Sequence, residues 1–227
     1  TATDAVGNVG SDATSGELTV DITAPAAPGT PDLDAASDSG SASDDDLTNN
    51  ITPTISGTAE AGSEIVLTSD VAGAVGTATA DGSGDWSITT GTLAEAVHTL
   101  TATATDVSGN ISTESTGLSV TIDATAPAVP STPDLAASSD LGSSSTDDLT
   151  SDSSPTLIGT ADAGSTITLL VDGASVTTSS PLASDVYDIT ATTLADGVHS
   201  LTTTATDVAG NTSAASAALD ITVDITA

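Results

Sequence analysis

The chain has 227 residues, of which 32 are acidic and two are His, and it contains no Lys, Arg, Cys or Met, so its formal net charge is -32 at pH 7. Nothing in it can neutralise phosphates, which excludes nucleic acid as a partner, and disulfides and thiolate metal sites are excluded with the cysteines. With no permanent cation, no salt bridge within the protein is expected, and every carboxylate must be hydrated, hydrogen-bonded or bound to an external cation.

Self-repulsion on this scale opposes compaction. Aromatic residues make up 1% of the chain, and composition alone therefore predicts disorder. Divalent cations reconcile that with a folded chain, because the free energy of binding then becomes free energy of folding. No apolar run is long enough to span a bilayer and none resembles a signal segment, so direct membrane insertion is not expected.

Residues 1–23 open with Thr3-Asp4-Ala5-Val6-Gly7-Asn8 and close on Val20-Asp21-Ile22-Thr23. They read as the last two strands of a module whose start is missing, so the chain reads as a piece of a longer protein. A Pro-rich joint follows at Ala24-Pro25-Ala26-Ala27-Pro28. Pro removes donors and stiffens the chain, which marks a short semi-rigid linker.

Within 24–125, short runs alternate with turn signals. Strands are expected around Asp32–Leu33 and over Thr54–Ala59, Glu64–Thr68, Gly76–Ala80, Trp86–Thr90, His98–Thr105 and Leu118–Asp123, seven in all. Along the sixth, His98, Leu100, Ala102 and Ala104 share one face and Thr99, Thr101, Thr103 and Thr105 the other. That alternation is a half-buried strand of a two-layer β-sandwich. No segment has helical periodicity.

Residues 126–227 then repeat the pattern. The Thr-Asp-x-x-Gly-Asn motif returns at 105–110 and 206–211, and Gly57-Thr58-Ala59-Glu60-Ala61-Gly62-Ser63 returns as Gly159-Thr160-Ala161-Asp162-Ala163-Gly164-Ser165. Val97-His98-Thr99-Leu100 returns as Val198-His199-Ser200-Leu201, and Tyr187 stands where the first copy has Trp86. The period of about 100 residues is the size of one sandwich domain. The chain thus divides into a leading fragment (1–23) and two modules (24–125 and 126–227). Trp86 and Tyr187 read as core anchors, and the two histidines as packing residues with satisfied hydrogen bonds.

The combination of Asp81-Gly82-Ser83-Gly84-Asp85-Trp86-Ser87, the Gly57–Ser63 segment and the run from Thr101 to Asn110 resembles bacterial Ig-like repeats of large surface adhesins of the biofilm-associated-protein type. The segment Ser37-Asp38-Ser39-Gly40 to Asp45-Asp46-Leu47-Thr48 resembles the extender repeats of calcium-stabilised members. The resemblance implies an all-β fold of tandem Ig-like Greek-key sandwiches, an extracellular place on a bacterial cell surface, a spacer role without catalysis, and calcium at or near the joints.

Calcium takes six to eight oxygen ligands in flexible geometry, and loops dense in Asp, Asn, Ser and Gly supply them. The candidate ligands in the first module are Asp32, Asp34, Asp38, Asp45 and Asp46, and in the second Asp134, Asp140, Asp147 and Asp148, with Ala136 replacing Asp34. Sandwich topology puts the loop with Asp38 at the same pole as the strand-end Asp123, and Asp106 and Asn110 at the opposite pole. An ion between stacked modules would draw on Asp4, Asn8 and Asp21 with Asp106 and Asn110 at the first joint; Asp123, Asp207 and Asn211 are further candidates. Asp224 ends the repeat. The Asp106–Asn110 segment is equally well read as a tight turn. The expected partners are neighbouring modules of the same chain. The alternative is association with other copies into a filament or biofilm matrix. Enzyme chemistry is not expected, since there is no Lys, Arg or Cys and no recurring Ser–His–Asp set.

Overall fold

The computed structural model describes residues 2–3, 5–10, 20–141, 144, 146–179 and 182–226. In the leading fragment β1 (Ala2–Thr3) pairs antiparallel with β2 (Val9–Gly10). Asp4 and residues 11–19 of the fragment read as two strands lie outside the described residues, and residues 20–23 form no strand.

The first module contains β3 (Asp32–Leu33), β4 (Leu47–Thr48), β5 (Thr54–Thr58), β6 (Glu64–Ser69), β7 (Gly73–Thr79), β8 (Asp85–Thr89), β9 (Ala96–Thr105) and β10 (Leu118–Ile122). One sheet has the order β4-β10-β9-β6-β7 and the other β3-β5-β8. The second module repeats both sheets with β11 (Asp134–Leu135), β12 (Leu149–Thr150), β13 (Thr156–Thr160), β14 (Thr166–Val171), β15 (Ala174–Thr178), β16 (Val186–Thr190), β17 (Gly197–Thr206) and β18 (Leu219–Val223), in the orders β12-β18-β17-β14-β15 and β11-β13-β16. Each module is a two-layer, Ig-like sandwich without helices among the described residues.

Eight strands stand where seven are expected. The additional one, β4, is two residues long and pairs parallel with β10, Thr121 opposite Leu47. It lies inside the acidic segment, too short to show an alternating pattern. The fourth expected strand also starts earlier, at Gly73, because Gly73 takes a positive φ of 74° and closes a tight hairpin from β6.

The alternation on β9 is realised. His98, Leu100, Ala102 and Ala104 are buried, while the Thr residues between them are not. Ile65, Leu67, Leu100 and Val120 of the larger sheet pack against Leu33, Ile55, Trp86 and Ile88 of the smaller. Trp86 lies over Gly57, its cross-strand partner, and Tyr187 over Gly159 in the same way. The missing Cβ leaves the space that the ring fills. In a core with one aromatic ring per module, that ring is a large share of the buried apolar surface.

The strand ends define the poles. The start of β9 pairs with the end of β10, Ala96 opposite Ile122, and its far end pairs with β6, Thr105 opposite Glu64. Loop 34–46, Glu95 and Asp123 therefore share one pole. The loops with Glu60, Asp81, Asp85 and Asp106 share the other.

One expectation from composition needs correction. His199 Nδ1 lies 2.9 Å from Asp172 Oδ2, an ion pair once the ring is protonated. A charge inventory at pH 7 misses it because imidazole is a conditional cation.

Candidate metal centre

The acidic loop of the first module is folded, with its own buried polar framework. The carbonyl of Asp34 accepts the amides of Ser37 at 2.6 Å and Asp38 at 3.1 Å. Thr48, fully buried, donates its hydroxyl to the Ser37 carbonyl at 2.6 Å and accepts the Asn50 amide at 3.0 Å. The Ser37 hydroxyl accepts the amide of Thr54 at 3.0 Å. Two further bonds, Thr121 N to Asp46 O at 2.8 Å and Asp123 N to Thr48 O at 2.9 Å, sew the loop to the end of β10.

This framework turns Asp38 inward. Asp38 is 8% exposed, and its Oδ1 has no hydrogen-bond partner. Burial pushes its carboxyl above the usual carboxylate value. The Asp46 amide counters that, and the charges of Asp45 and Asp44 add to it. Asp46 is raised by burial and by the fields of Asp38, Asp32 and Asp45, and sits in the left-handed region at φ 56°, a conformation that is costly for a residue with a Cβ.

The second module reproduces this at the equivalent positions. Asp140 is 7% exposed with Oδ1 unpartnered. Its carboxyl is raised by burial, then by Asp147, Asp148 and Asp134. Asp148 has φ 55°. Thr150 donates to the Ser139 carbonyl at 2.5 Å. A buried carboxylate oxygen without a donor is costly, and the same arrangement recurs in both modules. The charged groups that act on Asp38 and on Asp140 are all aspartates, whose oxygens are of the kind a hard divalent cation takes. Among the described residues no three His, Cys, Asp or Glu side chains converge into a finished metal cage.

Other expected ligands are occupied locally. Asp34 accepts the Ala36 amide at 3.1 Å and Asp45 the Leu47 amide at 3.2 Å. Asp21 and Asp224 cap the residues two further on. Asp106 accepts the amides of Ser108 and Asn110 at 2.8 and 2.9 Å. The Asn110 side chain, at 2.8 Å, holds the Asp106 carboxyl below its usual value. Asp207 and Asn211 make the same amide and side-chain bonds at 2.9 and 3.0 Å. The motif forms a tight turn in both modules.

These turns form the joints. Asn110 Nδ2 donates to the Asp21 carbonyl at 3.2 Å, and Asn211 Nδ2 to the Asp123 carbonyl at 2.8 Å. Asn211 thus ties its turn to the residue that follows β10, and Asn110 ties its turn to the end of the leading fragment, while Asn8 is exposed in that fragment. At the second joint the Asp38 loop itself takes part. Ser39 Oγ donates to the Ala209 carbonyl at 2.7 Å, and Gly40, at φ 99°, lies against the Val208 carbonyl with no room for a Cβ. Beside these contacts a cleft of about 400 Å³ is lined by Glu95, Asp123, Asp162 and Asp207 with Pro127. Glu95 and Asp162 are absent from the candidates read in the sequence. The available signal was recurrence, since acids repeat at Glu60 and Asp162 and at Glu95 and Asp196.

The sandwich and its joints define a class of protein, a string of Ig-like modules coupled pole to pole. The chain belongs to the bacterial Ig-like domain family, whose model matches residues 24–124 and again 125–225. Among solved structures it is similar to a BSP domain of a biofilm-associated protein, at 18% identity and a TM-score of 0.32, covering 90% of this chain and 30% of that one. It is also similar to fibronectin(III)-like modules of Clostridium thermocellum CbhA, at 17% identity and a TM-score of 0.49, over 86% of this chain and 94% of that one. A third is the D0-D1 domain of intimin, at 13% identity and a TM-score of 0.27, over 86% and 97%. The chain thus spans less than a third of the length of the first of these. No match was found among curated proteins.

Proposed function

We propose that the chain is an extender of a bacterial cell-surface adhesin, a non-catalytic spacer whose modules are held in line by calcium outside the cell. One observation carries this reading. The loop that buries the unpartnered Asp38 carboxylate also docks, through Ser39 and Gly40, onto the turn of the next module. Asp38, Asp46, Asp45 and Asp32 would hold the ion in the first module, and Asp140, Asp148, Asp147 and Asp134 in the second. Bound calcium supplies the positive charge that the chain lacks. It offsets the repulsion among these carboxylates and fixes the loop that forms the joint. Asp123, Asp162, Asp207 and Glu95 provide a second set of carboxylates at the joint cleft.

Small-angle X-ray scattering of the intact chain tests this. In millimolar calcium the longest dimension is expected to be greater and more sharply defined than in excess chelator. Gly40→Ala, whose methyl would strike the Val208 carbonyl, is expected to loosen the joint in calcium while both modules stay folded. Identical scattering with and without calcium would contradict the proposal.

A further inference from the structure

The two modules place a histidine at the same position on equivalent strands, yet the rings are bonded differently. His98 and His199 each hold a backbone carbonyl at Nε2, Ala94 O at 2.9 Å and Ala195 O at 3.1 Å. A carbonyl only accepts, so Nε2 carries a proton in both. The difference is at Nδ1. In the first module Nδ1 lies 2.8 Å from Ser69 Oγ, which already accepts the amides of Val71 and Ala72 at 3.1 and 3.2 Å. Ser69 therefore gives its one proton to Nδ1, and the network is complete around a neutral ring.

In the second module Val171 stands where the first has Ser69, each opposite a core leucine, Leu201 and Leu100. Without that hydroxyl, Nδ1 of His199 faces Asp172 Oδ2 at 2.9 Å. A carboxylate has no proton to give. A neutral ring then satisfies only one of its two acceptors, and a protonated ring satisfies both. The equivalent Asp70 differs in what it does for the ring, although both acids accept the same strand amide, Thr99 N at 2.8 Å and Ser200 N at 2.9 Å.

We infer that the second module contains a proton-operated latch, His199 clamped between Asp172 and the Ala195 carbonyl, and that Val171 in place of Ser69 is what creates it. The latch ties the turn between β14 and β15 to the strand β17 and to the segment before it. Other acids on neighbouring elements face elsewhere. Asp220 on β18 is paired with Ser200, on the opposite face from His199. Asp196 accepts the Ile225 amide at 2.7 Å and Asp224 the Thr226 amide at 3.3 Å. On the facing sheet, Asp188 of β16 and Asp134 of β11 are exposed.

The direction of the pH response follows. The Asp172 hydrogen bond, then the Ala195 carbonyl, raises the His199 value above its ordinary 6.5. The stabilisation is fully present below 6.5 and is lost as pH rises through the raised value. Asp172 is held below its ordinary 3.8, first by the Ser200 amide and then by His199, so it stays charged throughout that window. An acidifying surface layer would therefore tighten the second module and leave the first unaffected by this route.

The test uses the intact chain, whose Trp86 and Tyr187 report one module each. Ring resonances of the two histidines are titrated by NMR, and melts are followed by Trp and Tyr emission between about pH 8 and about pH 5.5, where carboxylates of ordinary value stay charged. The His199 ring is expected to titrate above 6.5, and the Tyr187 transition to move to higher temperature on acidification without the Trp86 transition following it. Val171→Ser, which restores the hydroxyl of the first module, is expected to remove that shift while leaving Asp140 and its neighbours untouched. A His199 ring that titrates at or below its ordinary value overturns the latch. So does a Tyr187 shift that Val171→Ser leaves in full. If Val171→Ser does not fold, the ring titration of the unaltered chain decides alone.

Discussion

Asp38→Asn is expected to lower the melting temperature of the first module in calcium and to raise it in chelator. The substitution keeps the shape of the side chain and removes its charge. In calcium it takes away the innermost ligand of the proposed site, so the stabilisation by bound ion falls. In chelator the same change removes a carboxylate that is 8% exposed, with one oxygen unpartnered and other aspartates around it. The folded state is then relieved of a charge it cannot solvate. Trp86, the only Trp of the chain and 4% exposed, reads the first module, and Tyr187 in the second serves as an internal control. A shift of the same sign in both conditions would show that Asp38 has only a packing or solvation role.

Gly57→Ala is expected to cost about 1–3 kcal/mol, as insertion of a methyl into a filled core does. The added Cβ would stand 2.5 Å from Cζ2 of Trp86 and 2.8 Å from its Cε2. The ring is enclosed by the sandwich core, so the strain falls on the contact between the two sheets. Gly82→Ala is the control, since nothing lies within 4 Å of where its methyl would stand and its φ is not positive. That change is expected to stay within about 0.5 kcal/mol. Urea denaturation of the two variants, read at Trp86, separates them. Equal midpoints would mean that the packing of Trp86 on Gly57 does not limit the stability of the module.

Much of the architecture is written in short-range pattern. The alternation of His98, Leu100, Ala102 and Ala104 with threonines sets the inward face of β9, and the recurrence of whole motifs sets the modules. The poles follow from topology once the strands are known. What the pattern does not carry is the direction of a side chain within a loop. Asp38 and Asp45 look alike in sequence, yet the Thr48 and Ser37 hydroxyls fold the loop so that one is buried and the other exposed. The two-residue strand β4 escapes for the same reason, because it is fixed by pairing with the distant β10 and not by its own alternation. The unlike chemistry of the two histidines depends on Ser69 against Val171, a difference that acquires meaning only when the neighbouring strand is in place.

Carboxylate recurrence marks positions whose surroundings differ. Of the acids that repeat, Asp106 and Asp207 are taken up by their own turns, and their Asn partners donate across the joints to carbonyls. Glu95 and Asp162 repeat as acids too, and they line the joint cleft instead. Recurrence alone cannot separate these uses, because a turn, a surface and a ligand all favour the same side chain.

The most direct measurement is a thermal melt of the intact chain, by circular dichroism, in millimolar calcium and in excess chelator. At about a hundredfold excess of ion over Kd, each site adds about 2.7 kcal/mol, a large part of the roughly 5–15 kcal/mol by which domains are stable. A calcium-held extender predicts a marked fall in melting temperature, or loss of the β signal, on chelation. Superimposable melts would mean that the buried aspartates are tolerated without an ion, and the calcium-held extender would be wrong.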